Sequence, residues 1–384
     1  MAQSERYDVI VVGIGGMGSA IAYHLARRGM KVLGLERYNI PHSQGSSHGV
    51  TRIIRLAYCE HPSYVALLRR AYELWRDLQA LYGRQLLYIT GSIDAGLPEG
   101  QVFQGSVRSC KLHGLDHTIL TSAELSRRFP GYHLPPEIMA VLQPEGGLLI
   151  PELCVVAHVT MAQKHGADIR AREQVTHWEA SGGRARVRTD RGSYEAEKLV
   201  ISAGPWLAKL VDSAARIVNP ERQALAWFQP LRPDLFLPER FPVFNLELDG
   251  ERYYGLPVFG VPGFKVGKYH HFHQPIDPDD PRREVYPEDE RLLRDFVSRY
   301  FPEGAGPTMA LRACIFTNTP DEHFILDRHP EFPEVLIASP CSGHGFKFCS
   351  VVGEIMADLV QNGETQHEIS MHRLTRFPAP AAGA

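Results

Sequence analysis

No stretch of the chain approaches the roughly 18–20 continuous apolar residues that a membrane-spanning helix requires. The first apolar run, Val9 to Val12, follows Asp8 and is broken by Gly13, so it lacks the basic flank and unbroken core of a secretory signal. Cysteine is scarce. Six are scattered over 384 residues (Cys59, Cys110, Cys154, Cys314, Cys341, Cys349), and none forms a C-x-x-C pair. That argues against a disulfide framework or a structural zinc site, and makes a reducing cytoplasm the expected compartment. An excess of one charge is also missing: 41 Lys and Arg against 44 Asp and Glu give a net −3. No global basic field exists to hold nucleic acid or an anionic membrane. There are no internal repeats. The final PAPAAGA carries no peroxisomal address and reads as a frayed tail. What is present is ordinary for a soluble globular protein, 44% hydrophobic and 22% charged. The length suits about two domains at roughly 150 residues each.

The first fifty residues carry the clearest signal. Tyr7 to Val12 is a short β-branched run of the kind that forms a buried parallel strand. Gly13-Ile14-Gly15-Gly16-Met17-Gly18 follows at once, then small and apolar residues at helical spacing up to Gly29, a plausible C-cap. Lys31 to Leu35 predicts a second strand, ending in Glu36. Strand, G-x-G-x-x-G, helix, strand and acid form the dinucleotide fingerprint. Gly13 makes the tight turn, Gly15 admits a pyrophosphate and Gly18 lets helix and strand pack. The helix N-terminus offers free N–H groups to the anion. Glu36 can accept from ribose hydroxyls and disfavours a 2′-phosphate, hence NADP. The fingerprint alone does not separate FAD from NAD.

Gly45-Ser46-Ser47-His48-Gly49-Val50-Thr51-Arg52-Ile53-Ile54-Arg55 follows. Taken alone it reads as a solvated basic turn, or as two cations presented to an anion. The stretch resembles the G-S-x-H-G-x-T-R-x-I-R loop of the monomeric sarcosine oxidase and N-methyltryptophan oxidase family, FAD-dependent amine oxidoreductases of the D-amino-acid oxidase-like superfamily. Three further segments match in the same order. They are Tyr253-Tyr254-Gly255 with Lys265 and Tyr269-His270, then Cys314 through Asp321-Glu322-His323-Phe324-Ile325, and finally Ser342-Gly343-His344-Gly345-Phe346-Lys347-Phe348. The resemblance covers about residues 7 to 377.

The resemblance implies an α/β (α+β) fold: a Rossmann-like FAD-binding domain with a second, mixed antiparallel-sheet substrate domain. Residues 1–85, 145–215 and 310–384 are expected in the first, 86–144 and 216–309 in the second. Helices are expected over about 64–81, 155–165 and 346–361, strands at 185–189 and 198–202, and an antiparallel sheet in the Pro- and aromatic-rich stretch 230–300.

The resemblance also implies roles. Cys314 would bond covalently to the flavin, although a lone cysteine is by itself usually a small buried hydrophobe. Arg55 and Lys347 would clamp a substrate carboxylate and so place the reacting C–H bond. Lys265 would promote reaction with oxygen by stabilising superoxide. His270 and Tyr254 would line the substrate pocket. The cofactor contacts would be Gly13, Gly15, Gly16, Gly18, Glu36, Arg37, Ser46, His48, Arg52, Val175, Gly204, Trp206, Cys314, Gly343, Gly345, Phe346 and Lys347. No metal is expected: the histidines at 270, 271 and 273 have no cysteine or acidic partner close in sequence. The implied partners are a small amino-acid substrate and oxygen, and the implied state is a monomer.

Several positions depart from the family pattern. Lys268 looks like an insertion between Lys265 and His270. Pro340-Cys341 stands where Gly and an apolar residue are usual, and Pro340 lacks a backbone donor. Leu256 replaces a common aromatic, and Asn245 occupies a typically apolar pocket position, so a roomier or more polar pocket is expected. The implied reaction is oxidation of sarcosine to an imine that hydrolyses to glycine and formaldehyde, with oxygen reduced to hydrogen peroxide. N-methyltryptophan, pipecolate, proline or an N-alkylglycine stay open as substrates. So do a dehydrogenase that feeds a carrier and a flavin-binding subunit without its own catalysis.

Overall fold

The computed structural model describes residues 5–280, 284–339 and 341–377, so Pro340 lies outside the described residues. Its first sheet is built around the strand Glu5–Val12, which runs parallel to Val32–Leu35 on one side and to Ser193–Ile201 on the other. Asp168–Arg170 extends one edge in parallel. On the other edge the sheet forks. The carboxyl half of Ser193–Ile201 pairs in parallel with Val335–Ser339, which is bordered by antiparallel Ile325–Arg328. Its amino half pairs antiparallel with Arg184–Thr189, and that strand with Val175–Ser181.

Val9 to Val12 are all buried: Val9 and Val11 face a layer of helices, and Ile10 and Val12 pack on the opposite face with Val187, Leu207, Val211 and Val218. Helix Gly16–Arg27 packs between Pro151–Lys164 and Cys349–Gln361, and Tyr64–Tyr82 packs on the last of these. The expected helices are thus present within a few residues, and 346–348 forms a single 3-10 turn before the final helix. In register, Val12 lies beside both Leu35 and Ile201. The carboxyl ends of the central strands therefore finish together and open one crevice, where α/β sheets bind ligands.

The second sheet runs Thr118–Thr121, Met139–Gln143, Ser92–Gly96, Val243–Leu248, Glu251–Leu256, Phe264–Lys268 and Asn219–Phe228, with Gln274–Pro275 and Thr308–Asn318 both against the last. Every pairing is antiparallel except Ser92–Gly96 with Val243–Leu248. Thr308–Asn318 spans the expected boundary at 310 and pairs along its length with Asn219–Phe228.

Residues 230–300 are not all sheet. Pro287–Tyr300 is a helix with Pro at its first turn, and it buries Leu293, Phe296, Val297 and Tyr300, the i, i+3, i+4, i+7 positions of one face. Those residues join Phe241, Phe244, Phe264 and Phe301 in an aromatic core behind the sheet. Each fully buried ring contributes about 2–3 kcal/mol of transfer free energy. Phe264 and Val266 point into that core, so the alternation of the strand turns Lys265 to the opposite face. A short three-stranded sheet, Arg52–Ile54, Gly147–Leu149 and Leu87–Ile89, lies beside the crevice.

Candidate active site

One cavity of about 410 Å³ runs from the glycine loop to the second sheet. Gly13 has φ +88°, and its N–H donates to Leu35 O at 2.8 Å, which forces the tight turn. A Cβ on Gly18 would fall 1.8 Å from Gly13 O, so only glycine lets the helix start this close to the strand. A Cβ on Gly15 would meet nothing nearer than Ser47 Oγ at 3.6 Å, so the loop is open toward the cavity. Glu36 fixes the other side of the loop. Its carboxylate accepts from the N–H of Ile14 at Oε2 and of Tyr38 at Oε1, each at 2.9 Å, with His42 Nε2 3.4 Å from Oε1, and Oε2 keeps a lone pair for a hydroxyl. An open cradle at a helix N-terminus, with an acid one strand away, fits the pyrophosphate and ribose of a dinucleotide.

Arg37, Val175, Gly204 and Trp206 line the same cavity. Arg37 lies over the Trp206 ring, and both bond to Asp279. Ser46 also lines it, and its hydroxyl donates to Ile315 O at 2.6 Å. Arg52 donates to Ser46 O at 2.9 Å and lies 3.6 Å from Cys314 Sγ. Cys314 is buried in the cavity wall, its Sγ 4.0 Å from Ile315 O. Gly16, Gly343, Gly345 and Phe346 complete this side.

The substrate-domain wall is a cross-strand ladder. Leu256 pairs with Lys265 and Tyr254 with Gly267, and the Tyr254 ring fills the space where a Gly267 Cβ would sit. Leu256, Tyr254 and Lys265 all face the cavity. Lys265 is 1% exposed, and its Nζ donates to Gly49 O at 2.7 Å, Thr51 O at 2.8 Å and Thr51 Oγ1 at 3.4 Å. Burial, and then Arg52, push its pKa well below that of a free lysine. The three oxygens nevertheless match the three N–H groups of its ammonium form.

Lys347 also lines the cavity; its Nζ donates to His344 O at 2.7 Å. Burial, and then Arg55, lower its pKa to about 7. His344 is neutral, its pKa pushed down to about 4, first by burial. Its Nε2 lies 2.9 Å from Glu322 O, which can only accept, so the proton sits there and Nδ1 accepts from Tyr58 Oη at 2.6 Å.

Three residues singled out in the sequence sit elsewhere. Arg55 lies under the cavity wall, its Nη2 bonded to both carboxylate oxygens of Glu60 at 2.9 Å and its Nη1 3.4 Å from Asp94. His48 is buried against a small separate hollow shared with Arg222 and Cys314. Its Nε2 has no partner among the described residues, and burial, then Arg52, lower its pKa to about 3.

His270 is turned away from the cavity. Its Nδ1 lies 3.1 Å from Glu221 and its Nε2 2.9 Å from Glu322, and these bonds raise its pKa to about 9. The cause is the strand period. Lys265 and Gly267 share one face and Tyr269, just past the strand's end, continues it onto the cavity wall, while His270 lies in the turn that follows, at φ +51°. Glu221, His270 and His273 do bring ligand-type atoms within 4.8 Å of one another. The ion pairs, however, favour a protonated His270, whereas a metal needs a free lone pair.

Tyr269, Phe316, His344 and Thr51 line the cavity without having been singled out as site residues. Strand parity counted from Lys265 would have found Tyr269. Asn245, noted as a polar departure, is buried and donates to Asp94 at 3.0 Å.

The family model for FAD dependent oxidoreductases matches residues 8–359. The chain is 39% identical over 378 residues to a monomeric sarcosine oxidase of Bacillus sp. strain NS-129, covering 97% of each chain. It is 35% identical over 376 residues to an N-methyl-L-tryptophan oxidase of Yersinia pestis, covering 97% of this chain and 99% of the relative. Among solved structures, a Tyr258Phe mutant of NikD, an unusual amino acid oxidase essential for nikkomycin biosynthesis, superposes with a TM-score of 0.84 at 27% identity, over 96% of this chain and 97% of that one. The chain belongs to the FAD-dependent oxidoreductase family, within its group of sarcosine and N-methyltryptophan oxidases.

Proposed function

We propose that this protein oxidises a secondary amino acid at a flavin, with sarcosine and other N-methyl amino acids as the leading substrate class. The observation that supports this most is the convergence of Lys347, Lys265, Tyr254 and Cys314 on the same cavity as the glycine loop. Bound FAD supplies the two-electron acceptor: the substrate gives up a hydride equivalent from a carbon next to nitrogen, the resulting imine is hydrolysed, and oxygen takes the electrons to give hydrogen peroxide. For sarcosine the products are glycine and formaldehyde.

The protein's own residues do the positioning. Lys347 receives the substrate carboxylate, and Arg55 joins it by releasing Glu60. That contact fixes one end of the substrate and aims the other. Tyr254 and Tyr269 shape an apolar, water-poor flank that favours the neutral amine. Lys265 holds positive charge where oxygen gains an electron. Cys314 Sγ, with the Arg52 guanidinium beside it, would anchor the flavin by a thioether. The protein acts as a cytoplasmic monomer.

Oxygen uptake with a panel of sarcosine, N-methyltryptophan, pipecolate and proline tests the reading. Uptake with stoichiometric peroxide supports it. Reduction of the flavin without oxygen uptake would point to a carrier-linked dehydrogenase instead.

A further inference from the structure

The hairpin ladder that presents Leu256 and Tyr254 to the cavity has one more rung. Beyond the pairs Leu256–Lys265 and Tyr254–Gly267, the Tyr269 N–H donates to Arg252 O at 2.8 Å. Arg252 therefore shares the face of Tyr254 and Leu256, and its guanidinium lies 4.3 Å from the centre of the Tyr269 ring, itself part of the cavity wall. The row behind it is polar. Asn245 stands in register with both Tyr254 and Asp94. It accepts from Arg252 Nε at 2.7 Å, while Arg252 Nη2 bonds to Glu60 and lies 3.3 Å from Cys59 Sγ.

Two features separate this from a structural ion pair. Arg252 Nη1 has no acceptor among the described residues, and its side chain keeps a fifth of its surface open, 20% against 3% for Arg55. The charges also do not cancel. Arg55, Arg252 and Lys347 face Glu60 and Asp94. Asp94 Oδ2 has no partner among the described residues, and burial raises the pKa of Asp94 against the pull of Arg55. Three cationic side chains thus face two carboxylates, and of these only Glu60 bonds to Arg252. Buried ion pairs add little net stability, so this excess is not explained by folding.

We infer that the site takes a secondary amino acid bearing a second carboxylate, which the free edge of Arg252 recognises while Lys347 holds the first. Arg252 is a specificity residue. Asn245 and Tyr269 position it, by fixing Nε and by stacking on the planar guanidinium. The inference rests on the proposed amino-acid oxidation and names its substrate class: N-alkylated amino dicarboxylic acids such as N-methylaspartate or N-methylglutamate.

The test compares kcat/KM of the flavin-loaded protein for N-methylaspartate and N-methylglutamate with that for sarcosine and N-methylalanine. At least a tenfold preference for a diacid is expected. In R252Q the ratio of diacid to monoacid should fall at least tenfold, and R252K should retain part of it. Thiodiacetate and methylthioacetate, which cannot be oxidised in this way, give an independent reading in the wild-type protein through the flavin's visible spectrum. Thiodiacetate should bind at least tenfold more tightly, and this arm stands even if R252Q does not fold. If monoacids bleach the flavin as well as diacids or better, and thiodiacetate binds no more tightly, this inference alone is overturned. If no secondary amino acid of either kind bleaches it, the proposed oxidation falls and the inference with it.

Discussion

Replacing Lys347 with methionine should make the protein more stable and a poorer carboxylate binder at once. Lys347 is 5% exposed, and its pKa has fallen from the ordinary 10.5 to about 7, chiefly through burial. At roughly 1.4 kcal/mol per tenfold change in protonation, holding this group costs the folded state about 4 kcal/mol at pH 7. Methionine forfeits the bond to His344 O and the contact with the Tyr58 ring, together about 1–2 kcal/mol. A net gain of about 2–3 kcal/mol remains. With an unfolding entropy of roughly 2 cal/mol/K per residue, that is a rise in Tm of about 3 °C.

The sign of the pH dependence follows. For a base whose folded pKa lies below its unfolded one, the penalty is full below pH 7 and fades as the pH climbs toward 10.5. The Tm advantage of K347M should therefore close over that interval in calorimetry. Methoxyacetate, an amine-free analogue of sarcosine, should bind the variant roughly 10–100-fold more weakly at pH 6.5, the worth of one charge-assisted hydrogen bond. Its affinity for the wild type should fall as the pH passes 7, and that slope should vanish in the variant. A lower Tm together with unchanged methoxyacetate affinity would refute the reasoning.

Four other perturbations have defined outcomes. C314S should bind flavin that leaves with the supernatant on acid precipitation, whereas the wild-type pellet stays yellow; a colourless wild-type pellet would refute the thioether. G18A puts a methyl carbon against Gly13 O, and the clash should cost at least about 3 kcal/mol and abolish flavin retention, as the visible spectrum would show. K265M should slow reoxidation of the reduced flavin by roughly a hundredfold or more in stopped flow, and an unchanged rate would sink its assigned role. His270 stabilises through a raised pKa of about 9, so its contribution is complete below pH 6.5 and lost as the pH rises through 9. With Glu322 half exposed, H270N should cost about 1–2 kcal/mol at pH 6 and little at pH 10, measured by thermal denaturation.

The nucleotide half of the site was legible because it is local. Gly13, Gly15, Gly18 and Glu36 lie on one strand–turn–helix–strand unit whose geometry follows from spacing alone. The substrate half depends on which residues of distant strands share a face. Tyr269, two steps of two residues from Lys265, reaches the wall and His270 does not, which only the parity counted from Lys265 reveals. The pairing of Arg55 with Glu60 was equally hidden, because a cation's partner is fixed by tertiary packing. The helix Pro287–Tyr300 was readable from its apolar spacing, but the surrounding prolines and aromatics suggested strands instead. The polar row Asp94–Asn245–Arg252 draws on two segments about 150 residues apart, and only Asn245 stood out in the sequence.

The most direct test of the central claim is anaerobic addition of secondary amino acids, both monocarboxylic and dicarboxylic, to the purified yellow protein while its visible flavin band is followed. The band should bleach, and return with release of peroxide when oxygen is admitted. A properly folded protein that holds flavin yet is bleached by none of these compounds would contradict that claim.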